Sequence, residues 1–427
     1  MKIKKIILPI LLSSSFFTHA HKNVTFDQVA EHYVQLGHVM YQDSYLAAKS
    51  LQTAIDELIK NPTQSTLDAA KEAWITSRIP YQKTEVFRFA NDFVDNWQGK
   101  VNTWPIDQGF IDYVNPDKYY QATPAALFNL VAKNKIRWLG KKYDLKNISP
   151  DVIRMLHTSG SFPNVTTGYH AIEFLLWGQD LHGIEEGAGE RPYTDYAYGK
   201  SCTHKHCDNR RNFLQIVTHL LVQDLKEMTD YWDPNIEGSY AQKFQKMDSQ
   251  KVVYKMFHGL SEFSTLELST MRINSAVEFN HPEEEHDCFS DNTHWSYFNN
   301  VMGMKTFYTG DYERIDGTLI EGPGLIDLVK SKDPKHARKM RKAMRKVERN
   351  MQIVVDKAEI EHVYFDQMIG TPNTPEIKHL KKTSESLREL RHYNSQAVFA
   401  VDLELDDATT RKLEVYKSPY HPLPTQR

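Results

Sequence analysis

Apolar residues recur every three to four positions through most of this chain and almost nowhere alternate singly. That period belongs to amphipathic helices, and strand-like alternation is sparse. The fold class this predicts is all-α: two packed helical bundles joined by long irregular loops. Residues 27–60 read as one long helix, stopped by Asn61-Pro62. Ser65 then offers an N-cap for a second helix running to residue 90, with Asp68 three positions on and Pro80 expected to kink it. Residues 91–122 are irregular. Shorter helices are predicted over 124–139 and 149–157, and an apolar one over 168–178 that Gly178 closes. The glycine-rich stretch 183–200 marks the expected boundary between a first bundle (21–200) and a second (201–417). Helices resume over 209–232, 240–275, 291–307, 333–360 and 375–403, and residues 418–427 form an extended tail. Gly168 to Trp177 and Gly259 to Arg272 echo one another faintly, as an ancient duplication would leave them.

The N-terminus directs the chain out of the cytoplasm. Lys2, Lys4 and Lys5 precede an apolar stretch, 6–17, and Thr18-His19-Ala20 presents small residues where signal peptidase cuts, so cleavage is expected after Ala20. The apolar stretch is broken by Pro9 and Ser13 to Ser15 and falls short of the ~20 residues a membrane span requires. No later segment is long and apolar enough to span. Losing three lysines and no acid takes the net charge from −3 to −6, which argues against nucleic acid as a partner. The basic run 330–349 reads as a solvated helix face.

Cysteine usage fits an oxidising compartment. Cys202 and Cys207 lie five apart and are expected to pair, leaving Cys288 as a free thiol. The rival is a zinc tract of Cys202, His204, His206 and Cys207.

Candidate chemistry centres on His170 and Glu173. Three apart on one helix, they leave the same face a turn apart, so an imidazole and a carboxylate converge on one ion. Their neighbours Ile172, Phe174, Leu175, Leu176 and Trp177 are apolar, so the face is buried, where a carboxylate needs a partner. A hydrogen-bonded structural pair remains the rival reading. Trp74, Arg78, Tyr81 and Glu85 fall at spacings of four, three and four, one stripe of the second helix. Glu85 is a candidate third ligand, against an ion pair with Arg78 or Arg88. Asp107 and Asp112 are further candidates to line the site, unless they cap a helix or hold an arginine. Asp291 and His294 belong to a segment that reads as a helix N-cap closing the site from the second half. Glu267 and Arg272, five apart, miss the α-helical pairing distance and are expected to find different neighbours. The acidic stretch 281–287 is expected to be solvated, or to act as a weak cation-collecting lip.

These residues, taken together, resemble one family. Gly168, His170 and Glu173 match the Gly-x-His-x-x-Glu hallmark of the imelysin-like proteins, in particular the iron-regulated protein A branch. So do Trp104-Pro105-Ile106-Asp107 and Ile111-Asp112-Tyr113, and downstream Cys288-Phe289-Ser290-Asp291-Asn292-Thr293-His294 and Tyr364-Phe365-Asp366-Gln367. Ala73-Trp74 to Arg78, Tyr81, Thr84-Glu85 and Phe87-Arg88-Phe89 resemble the family's N-terminal motif. The resemblance implies two helical bundles with a site near their junction, a place in the periplasm or cell envelope, and a role in iron uptake. The ligand would be iron, zinc or an iron chelate, handed on by other envelope components of iron uptake. The family also carries a metallopeptidase label, from a member that cleaves insulin. A zinc peptidase of the His-Glu-x-x-His type needs a Glu beside the first His and a second His four residues on; Ala171 and Phe174 stand there. Three functions therefore stand: a metal-binding, non-enzymatic component of iron uptake, a metal-dependent peptidase, and a docking module for an envelope receptor.

Overall fold

Thr25 opens the first helix with a capping box: its hydroxyl accepts the Gln28 amide while the Gln28 side chain reaches back to the Thr25 N–H. In this computed structural model, which describes residues 23–119, 128–146 and 148–403, helix α1 then runs from Phe26 to Lys60. The expected signal sequence and C-terminal tail lie outside the described residues. Helix α2 (Gln64–Thr84) begins one residue before the predicted cap. Thr63, not Ser65, takes that role, exchanging hydrogen bonds with Thr66, and the helix continues through Pro80. A 3-10 turn, Glu85–Phe87, ends it.

Helices α3 (Asp92–Asn102), α4 (Gln108–Ile111), α5 (Pro150–Leu156) and α6 (Tyr169–Trp177) follow. The helix expected over 124–139 is overturned from Leu130 on, and residues 120–127 lie outside the described set. Leu130–Ala132 is a single 3-10 turn, and Lys135–Trp138 (β1) pairs antiparallel with Lys141–Asp144 (β2). Leu139 and Gly140 both take positive φ, 46° and 81°, the two-residue geometry that matches strand twist in a hairpin.

The second half comprises α7 (Cys207–Trp232), α8 (Tyr240–Gln245) and α9 (Ser249–Glu262), the last running through a π-helical segment, Phe263–Asn274, into α10 (Ser275–Phe279). Then come α11 (Thr293–Thr309), a small hairpin of Tyr312–Glu313 (β3) with Leu319–Ile320 (β4), α12 (Leu325–Lys332), α13 (Pro334–Glu361), α14 (Phe365–Gly370) and α15 (Pro375–Ala400). Helix is the dominant structure throughout, as the periodicity requires. No helix among the described residues is long and apolar enough to cross a membrane.

α1 packs on α2 and α7; α15 packs on both α13 and the π segment; α11 lies across both α2 and α13. The 200/201 boundary drawn from the glycine-rich loop thus leaves α7 behind it in sequence but against α1 in space. Trp232, at the end of α7, is buried with Tyr33, Phe87 and Phe244 around it. The ring lies so close over Gly37 of α1 that a Cβ there would meet it at 2.3 Å, a contact only glycine permits. The exposed face of α13 carries Arg338, Lys339, Lys342, Arg345, Lys346 and Arg349, the solvated basic stripe read from sequence.

Cys202 and Cys207 are disulfide-bonded, and Cys288 is free and buried. His204 bonds Asp195 and Tyr113 instead of completing a zinc tract. Thiol titration of denatured, unreduced protein should therefore find one thiol per chain, rising to three after reduction; three before reduction would refute the bond. Closing so small a loop stabilises by roughly 2 kcal/mol on the loop-entropy account.

Candidate metal centre

Gly168 sets the approach of α6. It holds φ at 86°, and a Cβ there would stand 2.4 Å from the Val101 carbonyl oxygen of α3. A side chain would be excluded twice, by backbone conformation and by space. With α6 so placed, His170 and Glu173 are buried on one face, and His170 Nδ1 lies 3.0 Å from Glu173 Oε2. The other glutamate oxygen accepts from the backbone N–H groups of Phe289 and Ser290 and from the Ser290 hydroxyl (2.7 Å).

The sequence reading missed the two residues that complete the group. The acidic stretch expected to face solvent folds inward, burying Glu285, His286 and Asp287. His170, His286 and Asp287 each present a donor atom, all within 4.8 Å of one another. Asp287 Oδ1 is 3.2 Å from His286 Nδ1 and 3.8 Å from His170 Nδ1. A His-Asp dipeptide just upstream of the Cys288 motif was the available signal, masked by the three glutamates before it.

Arg78 faces this group from α2. Its guanidinium donates to Asp287 (2.7 Å) and Asn102 (2.7 Å), and lies over the rings of Trp74, Tyr81 and Tyr169. The predicted stripe is therefore real, and Trp74, Arg78 and Tyr81 wall the site. Burial first, then His286 and Arg78, push the His170 imidazole well below its usual range, and His286 falls to about 4 for similar reasons. Both rings are neutral near pH 7. Burial and the neighbouring Asp287 raise the Glu173 carboxyl well above the ordinary value, whereas Arg78 and His286 overcome the burial of Asp287 and hold it ionised.

Glu85, the expected third ligand, does not join them. Arg272 grips it at 2.9 and 3.1 Å, and Arg88, Asn102 and Asn300 add hydrogen bonds, so its oxygens are filled. Asp107 caps α4 through the Phe110 amide, and Asp112 is clamped by Arg191 and Arg210. Both are structural, the alternative the sequence left open. His294 bonds Glu359 of α13, and Asp291 lies in a separate acidic group with Asp180 and Asp366.

Two imidazoles and a carboxylate form a donor set for a borderline metal such as iron(II) or zinc. One observation shows fit: His170 Nε2 is buried with no hydrogen-bond partner, an unmet demand in so polar a cluster. Arg78 works the other way, since its charge competes with a dication for Asp287.

Comparison with known proteins agrees with this architecture. A 61-residue stretch is 34% identical to iron-regulated protein A of Synechococcus elongatus, covering 14% of this chain and only 17% of that relative's length. A crystal structure described as an iron-regulated protein A precursor from Parabacteroides distasonis superposes with a TM-score of 0.62 at 16% identity, over 89% of this chain and 97% of the other. An imelysin-like protein from Psychrobacter arcticum gives 0.54 at 10% identity with the same coverage. At such identities the likeness is one of fold. The imelysin family model, which bears a peptidase designation, matches residues 37–392. That match runs from within α1 to within α15 and takes in both halves and the His170–Glu173 helix: the chain belongs to the imelysin family.

Proposed function

We propose that this imelysin is a non-enzymatic metal-binding protein of the cell envelope that serves iron uptake, with His170, His286 and Asp287 as donors and Glu173 fixing His170 or sharing the ion with it. The observation that carries this reading is the convergence of two neutral imidazoles and an ionised carboxylate around an unpartnered, buried ring nitrogen. The name of the Synechococcus relative and the signal-like N-terminus support the iron and envelope parts. A bound iron or zinc ion would supply positive charge to a cluster that otherwise keeps a proton on Glu173.

The peptidase designation of the family favours a second reading, but burial weighs against it. His170, Glu173, His286 and Asp287 are each no more than 2% exposed, and a peptide bond must reach the donor set to be cleaved. The test is metal content of untagged protein purified without chelator, followed by titration with iron(II) and zinc. Stoichiometric or micromolar binding supports the proposal, and no binding of either ion overturns it. Proteolysis of unfolded chains that disappears in His170→Ala would instead favour the peptidase.

A further inference from the structure

Most buried carboxylates in this fold are held by arginine: Asp43 by Arg314, Asp112 by Arg191 and Arg210, Asp224 by Arg154, and Glu85 and Asp287 as described. Among the described residues, a cluster of three aspartates has no such arginine. Asp180, just past the end of α6, Asp291, in the turn before α11, and Asp366, in the first turn of α14, each bring a carboxylate oxygen within 4.8 Å of the others. Asp291 and Asp366 are 5% and 2% exposed, and Oδ1 of each is buried with no hydrogen-bond partner. The charges that act on Asp291 are those of Asp366 and Asp180, which like burial disfavour its ionised form. Glu285 adds a fourth carboxylate beside them.

We propose that Asp180, Asp291 and Asp366 form a second cation site, distinct from the histidine centre, that takes a hard divalent cation of the calcium class and ties α6, α11 and α14 together. The donor chemistry selects the ion: the three donors are oxygens, with no imidazole or thiolate among them, which suits calcium over iron(II) or zinc. The geometry admits it. Three oxygens no more than 4.8 Å apart lie at most about 2.8 Å (4.8/√3) from a common centre, a few tenths of an ångström outside the ~2.3–2.6 Å of calcium–oxygen bonds. Entry is open at Asp180, which is partly exposed and lines a cavity of ≈ 410 Å³ with His182, His281 and Glu283. Two buried oxygens without donors are costly in a protein interior, and a cation meets that demand where no arginine does. The site also gives a purpose to the Asp291 and Asp366 side chains, which the histidine centre does not use.

The test is calcium titration of chelator-treated protein, followed by thermal unfolding and by sensitised terbium luminescence. Wild type should show a saturable rise in Tm and terbium emission that calcium displaces, and His170→Ala should keep both. Asp291→Asn with Asp366→Asn should fold, because the change removes like charges, and should weaken calcium binding by at least about tenfold, as affinity follows ligand charge. Asp180→Asn, on the exposed side, provides a milder variant with the same expected direction. A wild type with no saturable calcium response at millimolar levels overturns the proposal. So does an unchanged response in the aspartate variants, or a response that vanishes in His170→Ala.

Discussion

Glu85→Ala should lower the unfolding free energy by about 3–5 kcal/mol, the cost of leaving buried charge without its partner. The size follows from what remains. Arg272 is 3% exposed and makes two bonds to Glu85, and its other partners are Asn300 and the single Glu267 carboxylate, which Arg88 also uses. Removing Glu85 leaves Arg272 to share its one remaining carboxylate, Glu267, with Arg88, which otherwise keeps only the solvent-facing Asp95. The same bonds tie the end of α2 to α3, to the π segment and to α11, so the loss falls on the contact between the two halves. Burial alone would raise the Glu85 carboxyl, but Arg272 and Arg88 outweigh it and hold its pKa far below the ordinary value. The sign of the pH effect follows. A depressed carboxylate contributes stability that is fully present above its unfolded pKa of ~4.5 and is lost as pH falls toward its folded value. Denaturant unfolding of wild type and Glu85→Ala should therefore differ most above pH 5 and converge below pH 4. A difference under 1 kcal/mol at pH 7 would show the network to be dispensable.

His170→Ala and Glu173→Gln should separate a metal centre from a structural pair. His170→Ala removes a donor and should weaken iron(II) or zinc binding by more than about 100-fold, while Glu173→Gln should cost about 10–100-fold, the range seen when a ligand's partner is changed. Glutamine keeps an oxygen for Phe289, Ser290 and the Ser290 hydroxyl but turns an N–H₂ toward His170 Nδ1. If Nε2 is the donor atom, that change drives the ring proton onto it; if Nδ1 is, the ion loses an adjoining negative charge. Stability should change little in Glu173→Gln, since burial and Asp287 already favour an uncharged side chain there. Metal affinity should rise with pH, because both histidines are already neutral and the proton to be displaced is the one on Glu173. A structural pair predicts the reverse: stability lost in both variants and metal binding unchanged in each. Paired melting curves and metal titrations between pH 6 and 8 decide between them.

The sequence by itself determined what depends on local period and local chemistry. Helical spacing placed α1, α7, α13 and α15 to within a few residues, because an amphipathic stripe can be buried in one way only. The Trp74–Arg78–Tyr81–Glu85 stripe and the His170–Glu173 pair were legible because residues three and four apart on a helix must share a face. Tertiary structure decided which charges meet. Glu85 was legible as a ligand or an ion-pair partner of Arg78 or Arg88, but its main partner Arg272 lies 187 residues away, and no spacing rule spans that distance. Glu267 and Arg272 look misaligned on an α-helix, yet the segment winds as a π-helix, where i and i+5 align, and they bond at 2.8 Å. The stretch 281–287 has the composition of a solvated loop. It turns inward because Arg78 meets Asp287 and because Glu173 takes up the Phe289 and Ser290 amides just beyond it. Burial of charge is a cooperative outcome of several distant segments, and a one-dimensional pattern carries only the segment's own half of it.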